Sequence, residues 1–385
     1  MSTEPLAPRE RHGSAKGRFS RGAHEPALFV GAVAAALFAL RLALPSDLLD
    51  NDQERPAAYA LDALANGRWI IQRDWTGEIT SKPPLSTWLT SALALPHGRV
   101  NLFFLYLPSF LATAATAFVV GRAGARAFGP RSALFAVASY LLSPVAYKQV
   151  ALARTDPLFA FTVFGTALVA ERSSREGTTW LGFWLAAAAA TLTKGPLGPI
   201  LAAGGLLAAL FERRGSAGGR TCALRAGHLL GPALFLLVTA GWFLLALRAE
   251  GTAVYDKLFT KELFAHAAKG GGCPGVHVFK PPLYLLSRFA PWSFFAAVGL
   301  WRVFAHPAPD KNARRLERFL ASYLLAGLAV FSIPTHQRAD HLFPLVPAAA
   351  LLAGRELARI APDRAGAREL AALAAVFLFG SFLYG

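Results

Sequence analysis

The most regular feature of this sequence is a series of long apolar stretches separated by short polar and basic segments. A helix needs about 20 apolar residues to cross a bilayer, within a range of about 17–25. Ala, Leu, Phe and Gly dominate the stretches, and small residues suit close packing of helices in lipid. The pattern predicts an all-α polytopic membrane protein with about eleven spans, at residues 27–45, 102–120, 132–147, 157–170, 178–193, 195–211, 229–247, 283–301, 319–334, 342–354 and 370–384.

One apolar stretch does not fit this alternation of spans. Counting residues 86–96 as a crossing would invert every later loop, so we interpret them as an interfacial or re-entrant helix. Residues 47–101 then form a long first outer loop that carries amphipathic helices, and residues 248–282 form the second long outer loop. We expect two parts, a basic tail at residues 1–26 and a transmembrane catalytic module at residues 27–385.

The distribution of basic residues predicts the orientation of the chain. Lys and Arg are enriched in cytoplasmic loops of membrane proteins. If the spans alternate, the tail and five loops are cytoplasmic and hold most of the basic residues, whereas the remaining loops are nearly balanced in charge. The N-terminus is therefore expected in the cytoplasm and the C-terminus outside. The cytoplasmic loops lie near residues 121–131, 171–177, 212–228, 302–318 and 354–369.

Composition excludes several other classes of protein. Hydrophobic residues make up 54% of the 385 residues and charged residues only 16%, against about 25% in soluble domains. This counts against a soluble enzyme and a disordered protein, and two cysteines are too few for a disulfide scaffold. The net charge of +16 is typical of nucleic-acid binding, but the basic residues lie between apolar runs. We therefore expect a membrane and no nucleic acid as partner.

Charged residues at the ends of the spans are the candidates for function, because charge beside lipid is costly. Under the predicted topology they meet at the outer face. Basic side chains there pair well with phosphate, and a carboxylate among them can act as a general base. No phosphate-binding glycine motif occurs, so the pattern favours a lipid-phosphate substrate over a soluble nucleotide. The candidates are Asp52, Arg55, Lys82, Arg154, Asp156, Lys194, Arg338, Asp340 and His341.

Several of these residues also have a purely structural explanation. Asp52 and Asp156 are suited to cap helices, since Asp is a favoured N-cap residue. Lys82 could be an interfacial lysine whose aliphatic stem lies along apolar surface while its charge reaches water. Lys194 could simply belong to a turn between two spans. These alternatives stay open at the level of sequence.

Six short motifs, in the same order along the chain, resemble the GT-C class of integral-membrane glycosyltransferases. Within that class they are similar to the bacterial aminoarabinose transferases and dolichyl-phosphate-mannose protein mannosyltransferases. Each motif alone is weak, but together they run from the first span to about residue 354. The motifs are Asn-Asp-Gln-Glu-Arg at 51–55 with Gly-Arg-Trp at 67–69, Ser-Lys-Pro-Pro-Leu-Ser-Thr-Trp at 81–88, Ala-Arg-Thr-Asp at 153–156, Lys-Gly-Pro at 194–196, Pro-Trp-Ser at 291–293 and His-Gln-Arg-Ala-Asp-His-Leu-Phe-Pro at 336–344.

The resemblance implies a GT-C-like helical bundle, a polyprenyl-phosphate-linked sugar as donor, and a lipid, glycan or protein as acceptor. It implies that Asp52 is the catalytic carboxylate of the first outer loop, and that Asp156, supported by Arg154, is a second acidic member of the site. Other basic side chains would hold the lipid phosphate. The predicted site consists of catalytic Asp52 and Asp156 and of substrate-binding Arg55, Lys82, Arg154, Lys194, Arg338 and His341.

The chain also departs from the family pattern. Ser81 and Leu263 stand where aminoarabinose transferases have a Glu and a His that bind a divalent metal. A divalent metal is therefore a doubtful cofactor, and no other cofactor is indicated. His341 stands where a Tyr is usual, which changes the side chain offered to the lipid phosphate. His336 and His341 are five residues apart, a poor spacing for two metal ligands on one helix face.

We interpret the sequence as that of an inverting glycosyltransferase of the inner membrane with a periplasmic site. The first alternative is a transporter or flippase of an anionic lipid, which would also need a basic outer cavity. Such proteins show paired repeats and polar groups at mid-span, and the sequence shows neither. The second alternative is an inactive GT-C-like scaffold, and the substitution at Ser81 favours it.

Overall fold

The computed structural model describes residues 21–43, 51–150, 152–178, 180–208, 226–258, 260, 275–334 and 337–361. These residues are mostly helical, which confirms the predicted all-α class. Within these ranges the only isolated β-bridge is an antiparallel pair between Arg73 and Ile79.

Many of the described helices follow one another with short connections, and short segments of 3₁₀-helix lie directly before or after some of them. These segments are Leu95–His97, Gly204–Leu206, Val276–Phe279 and Ala339–Leu345. The α-helices of the described residues are α1 (Arg21–Ala43), α2 (Asn51–Asn66), α3 (Leu85–Ala94), α4 (Leu102–Phe128), α5 (Pro130–Leu141), α6 (Pro144–Gln149), α7 (Asp156–Glu176), α8 (Leu181–Lys194), α9 (Leu197–Ala203), α10 (Ala226–Glu250), α11 (Thr252–Tyr255), α12 (Lys280–Arg288), α13 (Trp292–Ala305), α14 (Lys311–Ser332) and α15 (Val346–Ile360).

Side-chain caps fix the starts of two long helices. Asn101 precedes α4, and its side-chain oxygen accepts a hydrogen bond from the backbone N–H of Phe104 at 3.1 Å. Asp310 does the same for α14 through the N–H of Ala313, at 2.8 Å. Each cap satisfies one of the N–H groups that a helix start leaves without a partner.

Helix α15 forms the centre of the bundle. Every residue from 346 to 357 is buried, and the helix packs mainly against α5 and α13. A Cβ atom on Gly354 would lie 2.4 Å from the backbone nitrogen of Ala136, and one on Gly299 would lie 2.8 Å from the carbonyl oxygen of Leu352. Glycine at these positions therefore lets the helices approach more closely than a larger residue would allow.

Among the described residues, two helices are long and apolar enough to cross a membrane unbroken, α4 and the 229–250 part of α10. Only 17% of the most apolar window in the latter is buried, so this helix presents most of its apolar surface outward. The other apolar stretches up to residue 354 also fold as helices, but some are short. The stretches 178–193 and 195–211 contain α8, with 14 residues, and α9, with 7. The stretch 370–384 lies outside the described residues.

The predicted span at 283–301 is not one continuous helix. The segments His277–Arg288 and Trp292–Ala305 meet at a bend of 119°. Pro291 lies at this break, directly before α13. Proline has no N–H to donate to the preceding turn, so it favours a new helix start over continuation of the old one.

The first long loop contains the expected helix, since α3 and the 3₁₀ turn after it cover the predicted 86–96 segment. Between α2 and α3 the chain forms a short hairpin around residues 73–79 that rests on α10. The indole nitrogen of Trp242 donates to the carbonyl oxygen of Ile70 at 3.0 Å, and Arg73 forms an ion pair with Glu250. The Gly270–Gly272 stretch of the second long loop lies outside the described residues.

Candidate active site

An ion pair between Asp156 and Lys194 lies where the start of α7 meets the end of α8. The Oδ1 atom of Asp156 and the Nζ atom of Lys194 are 2.5 Å apart. The helix dipoles favour this arrangement, because anions are stabilised at helix N-termini and cations at C-termini. The N-cap residue of α7 is Thr155 and not Asp156. The carboxylate of Asp156 is therefore engaged by Lys194 and does not serve as the helix cap.

The position of Lys194 is set by the turn between α8 and α9. Lys194 is the last residue of α8, and Gly195 follows with a φ of +93°, a conformation that favours glycine. The ammonium group lies 5.8 Å from the centre of the Phe159 ring, within the range of cation–π attraction. Lys194 thus lies at the turn between α8 and α9, as one structural alternative proposed. Two side chains of α7, Asp156 and Phe159, also contact it.

A second ion pair joins Arg154 to Asp340. The Nη1 atom of Arg154 lies 2.9 Å from the Oδ2 atom of Asp340, and Arg338 approaches the same oxygen at 3.9 Å. Asp340 belongs to the 3₁₀ turn Ala339–Leu345, which packs against α7. Sequence reasoning named Asp340 but gave it no role. Its position in the sequence between Arg338 and His341, two predicted substrate-binding residues, was the signal that it belongs to the site.

His341 lies beside both ion pairs. Its backbone N–H donates to the carbonyl oxygen of Arg338 at 3.2 Å. Burial of the ring, together with the positive charges of Lys194, Arg338 and Lys82, lowers the pKa of His341 from 6.5 to about 3. The negative charge of Asp156 acts in the opposite direction. The imidazole is therefore neutral at physiological pH.

The structure thus brings six of the eight predicted site residues into one group together with Asp340. Lys82 belongs to it because its charge acts on His341. Within the group, four basic side chains lie together with two carboxylates. We call this group the basic cluster, and it comprises Lys82, Arg154, Asp156, Lys194, Arg338, Asp340 and His341.

Arg55 lies against the hairpin between α2 and α3. Its Nε atom is 3.6 Å from the Oδ2 atom of Asp74. Burial would raise the pKa of Asp74, but hydrogen bonds from Thr76 and Glu78 and the charge of Arg55 hold it below its usual value. Asp52 lies in α2 three residues before Arg55, and residues at this spacing share a helix face. The side chain of Asp52 lies outside the described part of the chain.

The donor set of the described residues does not fit a metal ion. No three His, Cys, Asp or Glu side chains in the described ranges come together in a group that could hold one. Ser81 offers only a hydroxyl group, and Leu263 lies outside the described residues. We therefore derive no step of the chemistry through a metal.

Comparison with known families finds a match for part of the chain. Residues 81–244 match the model of the family described as dolichyl-phosphate-mannose-protein mannosyltransferase. This segment begins before α3, ends within α10 and contains Lys82, Arg154, Asp156 and Lys194. Among curated protein sequences no significant match was found.

Two solved structures of ArnT from Cupriavidus metallidurans superpose on most of the chain. The structure bound to undecaprenyl phosphate has a TM-score of 0.73 and 23% sequence identity, and covers 92% of this chain. The apo structure has a TM-score of 0.73, 24% identity and the same coverage. The chain spans only 64% and 63% of the length of the two ArnT chains. The chain therefore has the ArnT-like GT-C membrane fold, which confirms the resemblance that its motifs indicate.

Proposed function

We propose that this protein is a glycosyltransferase that moves a sugar from a polyprenyl-phosphate donor to a lipid, glycan or protein acceptor. The proposed location is the inner membrane, with the N-terminus in the cytoplasm and the basic cluster at the periplasmic face. The observation that carries the proposal is the convergence of four basic side chains with two carboxylates in the basic cluster.

The electrostatics of the cluster suit a phosphate better than a neutral ligand. Four basic side chains converge there with Asp156 and Asp340, and a group with more basic than acidic side chains suits an incoming anion. Arginine and lysine form short, charge-assisted hydrogen bonds to phosphate oxygens. The similarly folded ArnT was solved with undecaprenyl phosphate bound, which supports a lipid phosphate as the anion.

The proposed reaction is a single displacement with inversion. An oxygen of the acceptor attacks the anomeric carbon of the donor sugar and forms the new glycosidic bond. The bond between the anomeric carbon and the phosphate oxygen breaks, and the polyprenyl phosphate leaves with the electron pair. The carboxylate of Asp52, acting as general base, takes the proton of the attacking hydroxyl group, or orients the acceptor if it is already an anion.

The basic side chains stabilise the negative charge that develops on the leaving phosphate. Lys194 and Lys82 contribute from the end of α8 and from the loop before α3, and Arg55 contributes from α2. Asp156 holds Lys194 in position through their ion pair, and Asp340 holds Arg154. The groups are placed before the substrate arrives, so they need little reorganisation during the reaction.

The test compares polyprenyl-phosphate sugars and glycan acceptors, by mass spectrometry, in a strain that lacks this chain and in complemented strains. Loss of the chain should cause one polyprenyl-phosphate sugar to accumulate and one glycosylated product to disappear. The wild-type chain should reverse both changes, whereas Asp52→Asn and Asp156→Asn should not. Asp310→Asn is the matched control, because Asn also caps helices well and Asp310 starts α14.

Two results would contradict this proposal. If both Asp52→Asn and Asp156→Asn restore the glycosylated product, the assignment of the site is wrong. If loss of the chain changes no glycosylated product, the activity itself is wrong. Altered distribution of an anionic lipid across the membrane would then support the transporter, and no change in either would support the inactive scaffold.

A further inference from the structure

The hairpin between α2 and α3 contains a buried carboxylate whose two oxygens make different contacts. The Oδ1 atom of Asp74 accepts hydrogen bonds from the backbone N–H of Thr76 at 2.9 Å, from the Thr76 hydroxyl at 2.5 Å and from the N–H of Glu78 at 3.1 Å. A bond from an Asp side chain to the backbone two residues on is typical of a tight turn. This oxygen therefore closes the turn of the hairpin.

The second oxygen of Asp74 faces Arg55 of α2. This Oδ2 atom is buried and accepts no hydrogen bond from the described residues, and the Nε atom of Arg55 lies 3.6 Å from it. The side chain of Asp74 is 1% exposed, whereas that of Arg55 is 44% exposed. A guanidinium group has five N–H donors. One edge of Arg55 can therefore lie against the hairpin while the rest of the group stays open to a ligand.

The hairpin that carries Asp74 is held together by its own hydrogen bonds. The backbone N–H of Asp74 donates to the carbonyl oxygen of Glu78 at 2.9 Å, and that of Thr80 donates to Gln72 at 2.8 Å. The backbone N–H of Lys82, a member of the basic cluster, donates to the hydroxyl group of Thr80 at 3.3 Å. The carboxylate of Asp74 is thus fixed in place before a substrate arrives, in a segment that continues directly into the basic cluster.

The other carboxylate of this turn has a different partner. Glu78 forms an ion pair with Lys257, on the far side of the second outer loop's start, and its side chain is exposed. Asp74 is the buried acid of the turn, and its free oxygen is directed at Arg55. A buried carboxylate oxygen is stabilised by a positive partner, so the contact holds both groups in place.

We propose that Asp74 is a positioning residue, which orients the guanidinium group of Arg55 toward the phosphate of the lipid substrate. This inference rests on the proposed function, in which Arg55 stabilises the charge of the leaving phosphate. An arginine that is already held in one orientation loses less conformational entropy when the phosphate binds. Asp74 acts through Arg55 and does not itself contact the substrate.

Orientation and simple electrostatics predict opposite effects of Asp74→Asn on phosphate binding. A negative charge near the site repels an anionic ligand, so its removal alone would strengthen binding. If Asp74 orients Arg55, its removal weakens binding, because an amide N–H group then faces the guanidinium group in place of an oxygen. Asn keeps one oxygen, which can still close the turn.

A double-mutant cycle tests the proposal. Isothermal titration calorimetry of the 385-residue chain with undecaprenyl phosphate gives the dissociation constants of the wild type, Asp74→Asn, Arg55→Gln and the double variant. Asp74→Ser is a second variant, because a serine hydroxyl can also close such a turn but leaves no oxygen toward Arg55. Asp62→Asn is the matched control, since this carboxylate belongs to the same loop but pairs with Arg68, at 3.3 Å.

We expect Asp74→Asn to weaken binding about 3- to 10-fold when Arg55 is present and less than about twofold in the Arg55→Gln background, a coupling in the range measured for residues in contact. The control Asp62→Asn should have the same effect in both backgrounds. Equal weakening by Asp74→Asn in both backgrounds would show a purely structural role, and unchanged or tighter binding would show that only its charge matters. Either result would overturn the inference.

Failure of this inference can be told apart from failure of the proposed function. If undecaprenyl phosphate does not bind to the wild type, or binds equally well to Lys194→Gln, the proposed function fails and this inference fails with it. If Lys194→Gln weakens binding but Arg55→Gln does not, only the inference is overturned, and the basic cluster keeps its proposed role. Asp74→Ser decides the question if Asp74→Asn does not fold.

Discussion

Two groups of ion pairs lie near opposite ends of the central helix α15. The basic cluster precedes the helix, and a second network lies near its end, where Arg355 and Glu356 meet Glu317 of α14 and Arg302 of α13. In this network Arg355 is 2.9 Å from Glu317 and 3.7 Å from Glu356, and Arg302 is 3.7 Å from Glu356. Two arginines thus face two glutamates, and the charges balance.

The two groups also differ in exposure. The side chains of Glu317 and Glu356 are 0% and 2% exposed, whereas those of Asp340 and Arg338 are 24% and 44% exposed. The network keeps both glutamates closed to water and joins three helices. The basic cluster is partly open at Arg338 and Asp340 and contains more basic than acidic side chains, which suits an anion. The exposure of the carboxylates and the ratio of basic to acidic side chains therefore separate structural ion pairs from a candidate site in this protein.

The largest effect that we predict is on stability, at the balanced network. Glu317→Ala should lower the free energy of unfolding by about 3–5 kcal/mol, because it leaves Arg355 buried without its closest partner. Thermal unfolding of the purified protein measures this. The exposed pair of Arg172 and Glu176 supplies the control, since Glu176→Ala should have little effect. Equal effects of the two substitutions would contradict the distinction between the two groups.

The next effect is on activity, at the basic cluster. Lys194→Gln should reduce glycosyl transfer per folded molecule by about 100- to 1,000-fold, the range for losing one group that stabilises transition-state charge. The measurement is the rate of product formation at equal amounts of folded protein. Lys311→Gln, at the start of α14, is the control with the same chemical change. Full activity of Lys194→Gln would show that Lys194 is not part of the active site.

A smaller effect is expected at Asp340. Asp340→Asn keeps an oxygen that can accept from Arg154 but removes the charge of the ion pair. Losing a charge-assisted hydrogen bond of about 1.5 kcal/mol corresponds to a loss of activity of about tenfold. Steady-state rates should show this loss without a matching change in the unfolding temperature. A loss as large as that of Lys194→Gln would instead place Asp340 among the groups that contact the substrate.

The smallest effect is expected where the first loop meets the segment after α10. Glu78 forms an ion pair with Lys257, and this pair lowers the pKa of Glu78. Because the carboxylate is exposed, Glu78→Gln should change the unfolding midpoint only slightly, and the change should vanish in about 1 M salt. A large change that persists in salt would show that this contact holds the loop in place.

The sequence predicted the helical class and the order of the apolar elements well, because a stretch of apolar residues signals a buried or lipid-facing helix wherever it packs. The helix at 86–96 was recovered for the same reason. The stretch 283–301 was recovered as helical, but its break was not predicted, since apolar composition does not reveal that the chain turns at Pro291. The number of membrane crossings and the boundaries of the two parts stay predictions.

For the candidate site, the sequence identified the kinds of residue but not their pairing. Six of the eight predicted residues converge in the basic cluster, because charged residues at helix ends collect on one side of a bundle. The pairing of Arg55 with Asp74 was not foreseen, since the hairpin that carries Asp74 has no strong sequence pattern. Whether Asp52 and the other residues act as assigned stays a proposal.

What the sequence by itself determined is therefore local: which stretches are apolar, where helices start, and which charged residues stand beside them. These properties depend on neighbours along the chain, such as the Asn101 and Asp310 caps. The tertiary structure decided which charged side chains pair with one another. Asp156 meets Lys194 across 38 positions and Arg154 meets Asp340 across 186, and contacts at such separations depend on how the helices pack, which no local pattern encodes.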